Sequence, residues 1–316
     1  MKGRAAALCI VLAFLCAGCA KKSVAPQNTG GKITVTAAIF PPYDFSRAIA
    51  GDRINLLMLL PPAAESHSFE PSPKDIIALR NSDIFIRIGG ESEAWVDRML
   101  QSIDAGGMKI IRLMDSVEVV EEEIIEGMED GAEAEEGPEG GVYDEHIWTS
   151  PKNAGRMVWA ILGGLCEKDP ANAPYYRQNA EAYIAKLREL DAAFQSAADQ
   201  AKRKTIVFGD RFPFRYLADA YGLTCFAAFP GCSTETEPSA ATVAFLIAKI
   251  KEEKIPVVFH LELSNEKMAD AIAEETGAKK RLLHSVHNIS KRDFDRGATY
   301  LELMAGNAAA LREALR

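Results

Sequence analysis

The middle of the chain contains a long stretch that nothing in its sequence would break as a helix. From Asn172 to Lys202 there is neither glycine nor proline after Pro174, and Asn172 offers N-cap chemistry at the start. Apolar residues recur there at alternating steps of four and three, which places them on one helical face. They are Tyr176, Ala180, Tyr183, Leu187, Leu190, Phe194 and Ala197. At 1.5 Å per residue, the predicted helix is roughly 45 Å long, about the width of a domain.

Short apolar segments alternate with helical segments on both sides of this helix. The strands predicted before it are Lys32–Ile39, Ile54–Leu60, Asp83–Ile88 and Lys109–Leu113. Those predicted after it are Thr205–Phe208, Leu223–Ala228, Pro256–His260 and Arg281–His284. Such β-α repetition predicts an α/β fold of two lobes, each with a parallel sheet covered by helices. The continuous apolar run of Ile54–Leu60 predicts a strand buried on both faces.

The N-terminal segment is typical of a targeting signal. Lys2 and Arg4 precede an apolar run that is too short to span a bilayer as a folded helix. The run ends in Cys-Ala-Gly-Cys, which resembles the lipobox of bacterial lipoproteins. We therefore expect residues 1–19 to be a lipoprotein signal peptide ending at Cys19, with that cysteine lipidated. Ordinary secretion is the alternative, and either route places the mature protein outside the cytoplasm.

The rest of the chain is predicted to divide at the long helix. Residues 20–31 form a flexible linker, 32–150 an N-terminal α/β lobe, 151–202 a helical connection that includes the long helix, and 203–316 a C-terminal α/β lobe. The stiff connection predicts limited rocking of the lobes, so that a ligand would leave through small local shifts rather than wide opening.

One segment of the first lobe, residues 118–141, is strongly acidic. It has eleven acidic residues and no basic one, and without those eleven the formal net charge of −9 becomes +2. Repulsion between like charges and low hydrophobicity predict a disordered surface loop. The loop could gather cations or serve as a solvated spacer. Neither the acidic segment nor the near-neutral remainder favours binding to nucleic acid.

Three cysteines lie beyond the signal segment. Cys225 and Cys232 bracket the sequence FAAFPG, a spacing that could close a small disulfide loop in an oxidising compartment. The alternative is two buried free thiols. Together with Cys166 they contain no CxxC pair, so they do not indicate a thiolate metal site or a redox motif.

The five histidines fall largely where parallel strands end. Ligands of open α/β sheets bind beyond the carboxyl ends of the strands. His67 follows the second predicted strand, His284 ends the last one, and His146 precedes the helical connection. His260 is interpreted as a core histidine and His287 as a solvated loop residue. Because neutral imidazole is the commonest ligand of transition metals, the pattern predicts a cleft for a metal or another small ligand.

Several longer segments carry a resemblance to a known family. From Lys32 onward the chain is similar to the substrate-binding proteins of zinc and manganese ABC transporters. The segments that carry the resemblance are LLPPAAESHSFEPSPKDI, IGGESEAWVDRML, YDEHIWTSPKN, YYRQNAEAYIAKLRELD, FRYLADAYGL, TETEPSAATVAFLIAKIKEEKIPVVF and YLELMAGNAAALREAL. The family implies two α/β lobes bridged by one long rigid helix, with the metal held between them.

The resemblance also implies a set of metal ligands. The first two fall on His67 and on His146, where the family usually reads Asp-Pro-His and this chain reads Asp-Glu-His. Ungapped counting places the third on Arg211, which cannot bind a metal, and a shift of one residue brings Asp210 there. The fourth, usually an aspartate after the last strand, falls on His284.

Three imidazoles and one carboxylate favour Zn²⁺ as the bound cargo over Mn²⁺, with Ni²⁺ as a further alternative. The expected function is therefore a monomeric, lipid-anchored, extracytoplasmic receptor that captures Zn²⁺ and passes it to an ABC transporter permease and its ATPase. A closed set of four ligands leaves no position for an activated water, so we do not expect an enzyme. The alternatives are a manganese or nickel receptor, a surface adhesin, and an extracellular zinc hydrolase with Glu65 or Glu145 as general base.

Overall fold

Two four-stranded parallel sheets with helices packed around them form the described part of the chain. This computed structural model describes residues 31–66, 68–128, 142–231, 233 and 238–316. The first sheet has the order β2-β1-β3-β4 and the second the order β10-β9-β5-β7. Their strands are β1 (Thr34–Ala37), β2 (Asn55–Met58), β3 (Ile84–Arg87), β4 (Lys109–Arg112), β5 (Thr205–Phe208), β7 (Thr224–Phe226), β9 (Val257–His260) and β10 (Lys279–Leu282). The α/β class with parallel sheets is thus confirmed.

Two further strands and ten α-helices complete the described fold. A short parallel pair joins β6 (Arg211–Phe212) to β8 (Phe229–Pro230). The helices are α1 (Phe40–Ala50), α2 (Pro73–Arg80), α3 (Ala94–Gln101), α4 (Pro151–Lys168), α5 (Ala173–Asp199), α6 (Arg215–Tyr221), α7 (Ala240–Glu253), α8 (Lys267–Thr276), α9 (Lys291–Asp295) and α10 (Tyr300–Ala314). Within the described ranges, none of them has the length and apolar character needed to cross a membrane.

The long helix predicted from the sequence is α5. All seven residues of its predicted apolar face are buried. That face packs against α4, α10 and α1, which come from both halves of the chain. The hydroxyl of Tyr176 donates a hydrogen bond of 2.6 Å to Oδ2 of Asp169, which ties the start of α5 to the turn before it. The helix is therefore held along its length by the elements that it connects.

The prediction that Ile54–Leu60 is buried on both faces was wrong. Its strand, β2, lies at the edge of the first sheet and pairs only with β1 among the described strands. Alternate residues are exposed, and Leu57 keeps 42% of its surface accessible. A run of apolar residues does not show whether a strand has one neighbour or two, because that depends on the order of strands in the sheet.

The first part of the acidic segment, residues 118–128, contacts the rest of the fold. Residues 120–122 pair with 142–144 through hydrogen bonds from Asp144 N to Val120 O (2.9 Å) and from Glu122 N to Val142 O (2.7 Å). Further along, Ile125 packs on the apolar cluster around α7, and Met128 is buried. Apolar residues between the acidic ones thus attach this segment to the second half. The remainder, 129–141, lies outside the described residues.

Two helices close the chain: α9 ends at Asp295 and α10 begins at Tyr300. Between them Gly297 adopts a positive φ of 76°, a conformation that ends a helix and favours glycine. A single large core cluster contains residues from Ile33 to Leu315, and residues Lys32–Arg316 form one compact unit.

Candidate metal centre

A small polar cavity lies where loops from both halves of the chain meet. Its lining includes Glu65, Ser66, His146, Arg211, Glu262 and His287. Its volume is about 40 Å³, room for roughly three water molecules. These loops follow β2, β5, β9 and β10, so the cavity stands at the carboxyl ends of the strands, as expected for α/β sheets.

Hydrogen bonds between the loops hold the two sides of the cavity together. The side-chain amide of Asn288 donates to the carbonyl oxygens of Pro61 (2.8 Å) and Ala64 (2.9 Å). The backbone N–H of Ala63 donates to the carbonyl of Ile289 at 2.8 Å. The loop after β2 is therefore joined directly to the loop after β10.

His146 is buried in the loop before α4, with 2% of its surface exposed. Oδ1 of Asp144 accepts hydrogen bonds from the backbone N–H of His146 (2.7 Å) and lies 3.1 Å from its Nδ1. A proton held on Nδ1 leaves the lone pair of Nε2 available to a metal. The absence of a side chain at Gly231 makes room for the ring, because a Cβ there would lie 3.0 Å from Cε1 of His146.

The carboxylates around His146 make this part of the cavity electronegative. Burial alone would lower the pKa of His146, but the charge of Asp144, with smaller effects of Glu145 and Glu122, raises it above its ordinary value. The negative potential that favours a protonated imidazole also favours a bound metal cation.

Glu145 contributes a buried carboxylate beside His146. Its Oε2 accepts a hydrogen bond of 2.9 Å from the backbone N–H of Ser92, while Oε1 is buried and has no hydrogen-bonding partner among the described residues. Gly90 is needed for this packing, since a Cβ there would overlap the Glu145 side chain. A buried carboxylate oxygen without a partner costs free energy, and a cation held beside it would satisfy it.

The ring of His287, which lies near the C-terminal end of the sequence, packs beside the ring of His146. The two rings lie 5.9 Å apart between centroids, and Trp148 contacts both. Glu145, His146 and His287 each offer an atom that could bind a metal, and these three atoms lie within 4.8 Å of one another. The interpretation of His287 as a solvated loop residue was therefore wrong, because the ring packs against buried aromatic groups.

His284 is differently placed. It is 6% exposed. Its backbone N–H donates to Oδ1 of Asn307 at 2.8 Å, and its carbonyl oxygen accepts from Nδ2 of the same residue at 2.7 Å. Its Nδ1 accepts a hydrogen bond of 3.0 Å from the backbone N–H of Val286. The same Nδ1 lies 3.5 Å from Oε2 of Glu262. In the described chain, the group of possible ligands around His146 does not include His284.

Asp210 is likewise occupied by the backbone. Its Oδ1 accepts from the N–H of Arg211 (2.9 Å) and its Oδ2 from the N–H of Leu261 (3.0 Å). The next residue, Arg211, lines the cavity instead. The structure therefore brings together His146, His287 and Glu145, and does not bring Asp210 or His284 to them.

The remaining predicted site residues lie partly outside the described chain. His67 and Cys19 are not among the described residues, but Glu65 and Ser66, directly before His67, line the cavity. Cys225 lies buried in β7, while Cys232 is not described. The disulfide between them stays a prediction. His260 lies half-buried, with Nδ1 3.1 Å from the carbonyl oxygen of Leu261.

The sequence of the whole described unit matches one family model. Residues 35–314 match the family described as zinc-uptake complex component A, periplasmic, abbreviated ZnuA. The chain belongs to the ZnuA family. The resemblance drawn from its sequence motifs is thereby confirmed at the level of the family.

Individual relatives agree with this assignment. The ZnuA-family chain is 32% identical over 312 residues to the high-affinity zinc uptake system protein ZnuA of Bacillus subtilis, covering 98% of this chain and 95% of that protein. It is 30% identical over 306 residues to the zinc-binding lipoprotein AdcA of Streptococcus pneumoniae, covering 96% of this chain but 60% of AdcA. It therefore spans little more than half of AdcA.

Solved structures of such relatives share the fold. The crystal structure of the Zn(II)-bound ZnuA-like domain of Streptococcus pneumoniae AdcA has a TM-score of 0.74 at 30% identity, covering 90% of this chain and 99% of that one. The laminin-binding protein of Streptococcus agalactiae, described as a bifunctional protein with adhesin and metal transporting activity, has a TM-score of 0.74 at 26% identity, covering 90% and 100%. Membership of the ZnuA family thus extends to the arrangement of strands and helices.

Two residues of the group around His146 were not predicted as ligands from the sequence. Glu145 was considered only as a general base, although its place directly before His146 was a visible signal. His287 was set aside, although it lies three residues after His284 just beyond a strand. The spacing of the two histidines could not show which of them turns toward His146.

Proposed function

We propose that this protein is an extracytoplasmic receptor that binds Zn²⁺ in the cavity beside His146 and delivers it to a membrane permease powered by a partner ATPase. The observation that carries the proposal is the convergence of Glu145, His146 and His287 within 4.8 Å, from segments about 140 residues apart in sequence. Membership of the ZnuA family supports the metal and the transport role. The activity is carriage, without a chemical step.

The ligand set that best fits this geometry is His67, His146 and His287 with the carboxylate of Glu145. His67 is included because its neighbours Glu65 and Ser66 line the cavity and because the family resemblance places a ligand there. Imidazole-rich sets suit zinc better than manganese, which prefers oxygen ligands. His284 and Asp210, expected as ligands from the resemblance, act in this proposal as groups that hold the surrounding loops.

Single alanine substitutions followed by zinc titration against a competing chelator test this set. We expect wild-type protein to bind about one Zn²⁺ tightly, as one closed site implies. His146→Ala or His287→Ala removes a direct ligand, and the zinc affinity should fall by at least about 100-fold. Loss of a residue that only hydrogen-bonds a ligand typically costs about 10- to 100-fold. His67→Ala should have a similar effect.

The matched comparison is between His287→Ala and His284→Ala, which remove the same ring three residues apart. We expect the second to retain zinc affinity within about 10-fold, and Asp210→Ala likewise, because both act through the loops. A large loss in His284→Ala with full affinity in His287→Ala would reverse the assignment. Repeating the titration with Mn²⁺ and Ni²⁺ determines the metal preference.

Anchoring through Cys19 is part of the same proposal. We expect wild-type protein in the membrane fraction of its host and Cys19→Ser protein in the soluble or secreted fraction, because the variant has no thiol to lipidate. Zinc accumulation should require both the receptor and the permease, and His146→Ala should not restore it in a receptor deletion strain. Membrane association of Cys19→Ser would contradict the anchor without affecting the metal site.

A further inference from the structure

A positively charged side chain stands in the wall of the cavity that the metal ion would enter. Arg211 lines it together with His146 and His287, and 23% of its side chain is exposed. Arginine stays protonated at any physiological pH and cannot bind a metal ion. Its presence beside metal-binding groups is therefore unfavourable for the metal-bound state.

The guanidinium is held by groups on two sides of the cavity. Nη1 donates a hydrogen bond of 3.3 Å to the carbonyl oxygen of Ser233, and Nη2 lies 3.5 Å from Oε2 of Glu65. Glu65 belongs to the loop after β2, in the first half of the chain, whereas Arg211 begins β6, in the second. The ion pair thus connects the two walls beside the site.

The size of the cavity makes the charge of Arg211 important. With a volume of about 40 Å³, it leaves little water between the guanidinium and an ion held by His146 and His287. Charges separated by so little solvent are screened much less than charges on an open surface. The carboxylate of Glu65 would then be shared between two cations, the guanidinium and the metal, with Glu262 as a further carboxylate in the lining.

We propose that Arg211 is a built-in counter-cation of this cavity, which pairs with Glu65 when no metal is bound and limits the affinity for divalent cations. This inference rests on the proposed function of the cavity as a metal site. Lower affinity helps a carrier that must give up its cargo, because the guanidinium compensates Glu65 after the ion has left. Arg211 acts through its charge and is not a ligand.

Substitution of Arg211 and of its partner tests the inference, with zinc titration of the full mature protein as the readout. Arg211→Gln removes the charge at similar length, and we expect zinc to bind about 10-fold tighter or more. Arg211→Lys keeps the charge and should resemble wild type. Glu65→Gln leaves the guanidinium uncompensated and should weaken binding.

The outcomes separate this inference from the function on which it rests. Unchanged or weaker zinc binding by Arg211→Gln, or an equal gain in Arg211→Lys, would overturn the counter-cation role. His146→Ala is titrated in parallel. Full zinc affinity in His146→Ala would place the metal elsewhere and remove the basis of both proposals. Loss of binding in His146→Ala, together with no gain in Arg211→Gln, would contradict only the role of Arg211. Equal unfolding temperatures of the metal-free variants confirm that folding is intact.

Discussion

At the scale of single residues, the conformation of one turn decides which histidine reaches the cavity. Val286 adopts a positive φ of 62°, which is rare for a β-branched residue, and its N–H donates to Nδ1 of His284. The turn directs His284 toward Asn307 and Glu262 and brings His287 beside His146. Backbone strain of this kind persists only where surrounding contacts determine it, and such sites are often functional.

A second residue-scale feature is the pairing of Asp144 with His146. Both side chains are almost completely buried, and the carboxylate holds the ring proton on Nδ1. Carboxylate partners of this kind orient metal-binding histidines and raise their basicity. Three consecutive residues thus have three different roles. Asp144 orients the ring of His146, which supplies the imidazole. Glu145 supplies a carboxylate whose Oε1 has no hydrogen-bonding partner among the described residues.

At the scale of elements, the segment formed by residues 117–128 connects the candidate metal centre to α6. We call it the crossing segment. The hydroxyl of Tyr216 accepts a hydrogen bond of 3.2 Å from the N–H of Val120 and donates one of 2.7 Å to the carbonyl of Asp144. An ion pair between Arg215 and Glu123 lies beside it. One side chain of α6 therefore supports both the crossing segment and the loop that carries His146.

Removal of that hydroxyl should affect the site from a distance. In Tyr216→Phe, the N–H of Val120 and the carbonyl of Asp144 lose their partner, which we expect to cost about 1–3 kcal/mol of unfolding free energy. Loss of the group that hydrogen-bonds a metal-binding histidine typically lowers metal affinity by roughly 10- to 100-fold. Zinc affinity of Tyr216→Phe should fall by less than this, because Asp144 still holds His146. Denaturant unfolding and zinc titration measure the two effects.

The matched control for this variant is on the same helix. Tyr221→Phe removes a hydroxyl that donates to Oδ1 of Asp191, on α5 and outside the residues that line the cavity. It should lower stability without changing zinc affinity. An equal loss of affinity in both variants would mean that general loosening, and not the contact with Asp144, is responsible.

At the scale of the whole molecule, the largest apolar cluster spans both sheets, and a smaller one lies between the second sheet and α7 and α8. The largest apolar cluster contains residues of both sheets and of α4, α5 and α10. Cross-links such as Asn288 to Pro61 and Tyr300 to Trp148 connect the first half with the second. Wide separation of the halves would expose much of this core, at a cost of about 25 cal/mol for each Å² of apolar surface.

Small-angle scattering tests the resulting expectation of limited movement. We expect the radius of gyration of the mature protein to be the same, within error, with and without zinc. The shared core resists hinge opening, so entry and release should involve local shifts of the loops around the cavity. A clear contraction on adding zinc would contradict this and indicate that the two halves separate when zinc is absent. His146→Ala with added zinc serves as the control.

The sequence by itself was sufficient for the elements and for the class of fold. The period of the apolar residues identified α5 and its buried face, and the alternation of strand and helix identified the parallel sheets, because both depend on local spacing. The motifs around His67 and His146 were also sufficient for the family. These features depend on residues that are close together in the sequence, so they can be predicted without knowledge of distant contacts.

Only the tertiary structure decided which groups meet. The strand order placed β2 at an edge, the turn at Val286 brought His287 rather than His284 to His146, and backbone hydrogen bonds from Arg211 and Leu261 occupied Asp210. The same arrangement brought Arg211 into the wall of the cavity, opposite Glu65. Each outcome depends on a contact between segments far apart in the chain, and spacing along the sequence carries no information about such contacts.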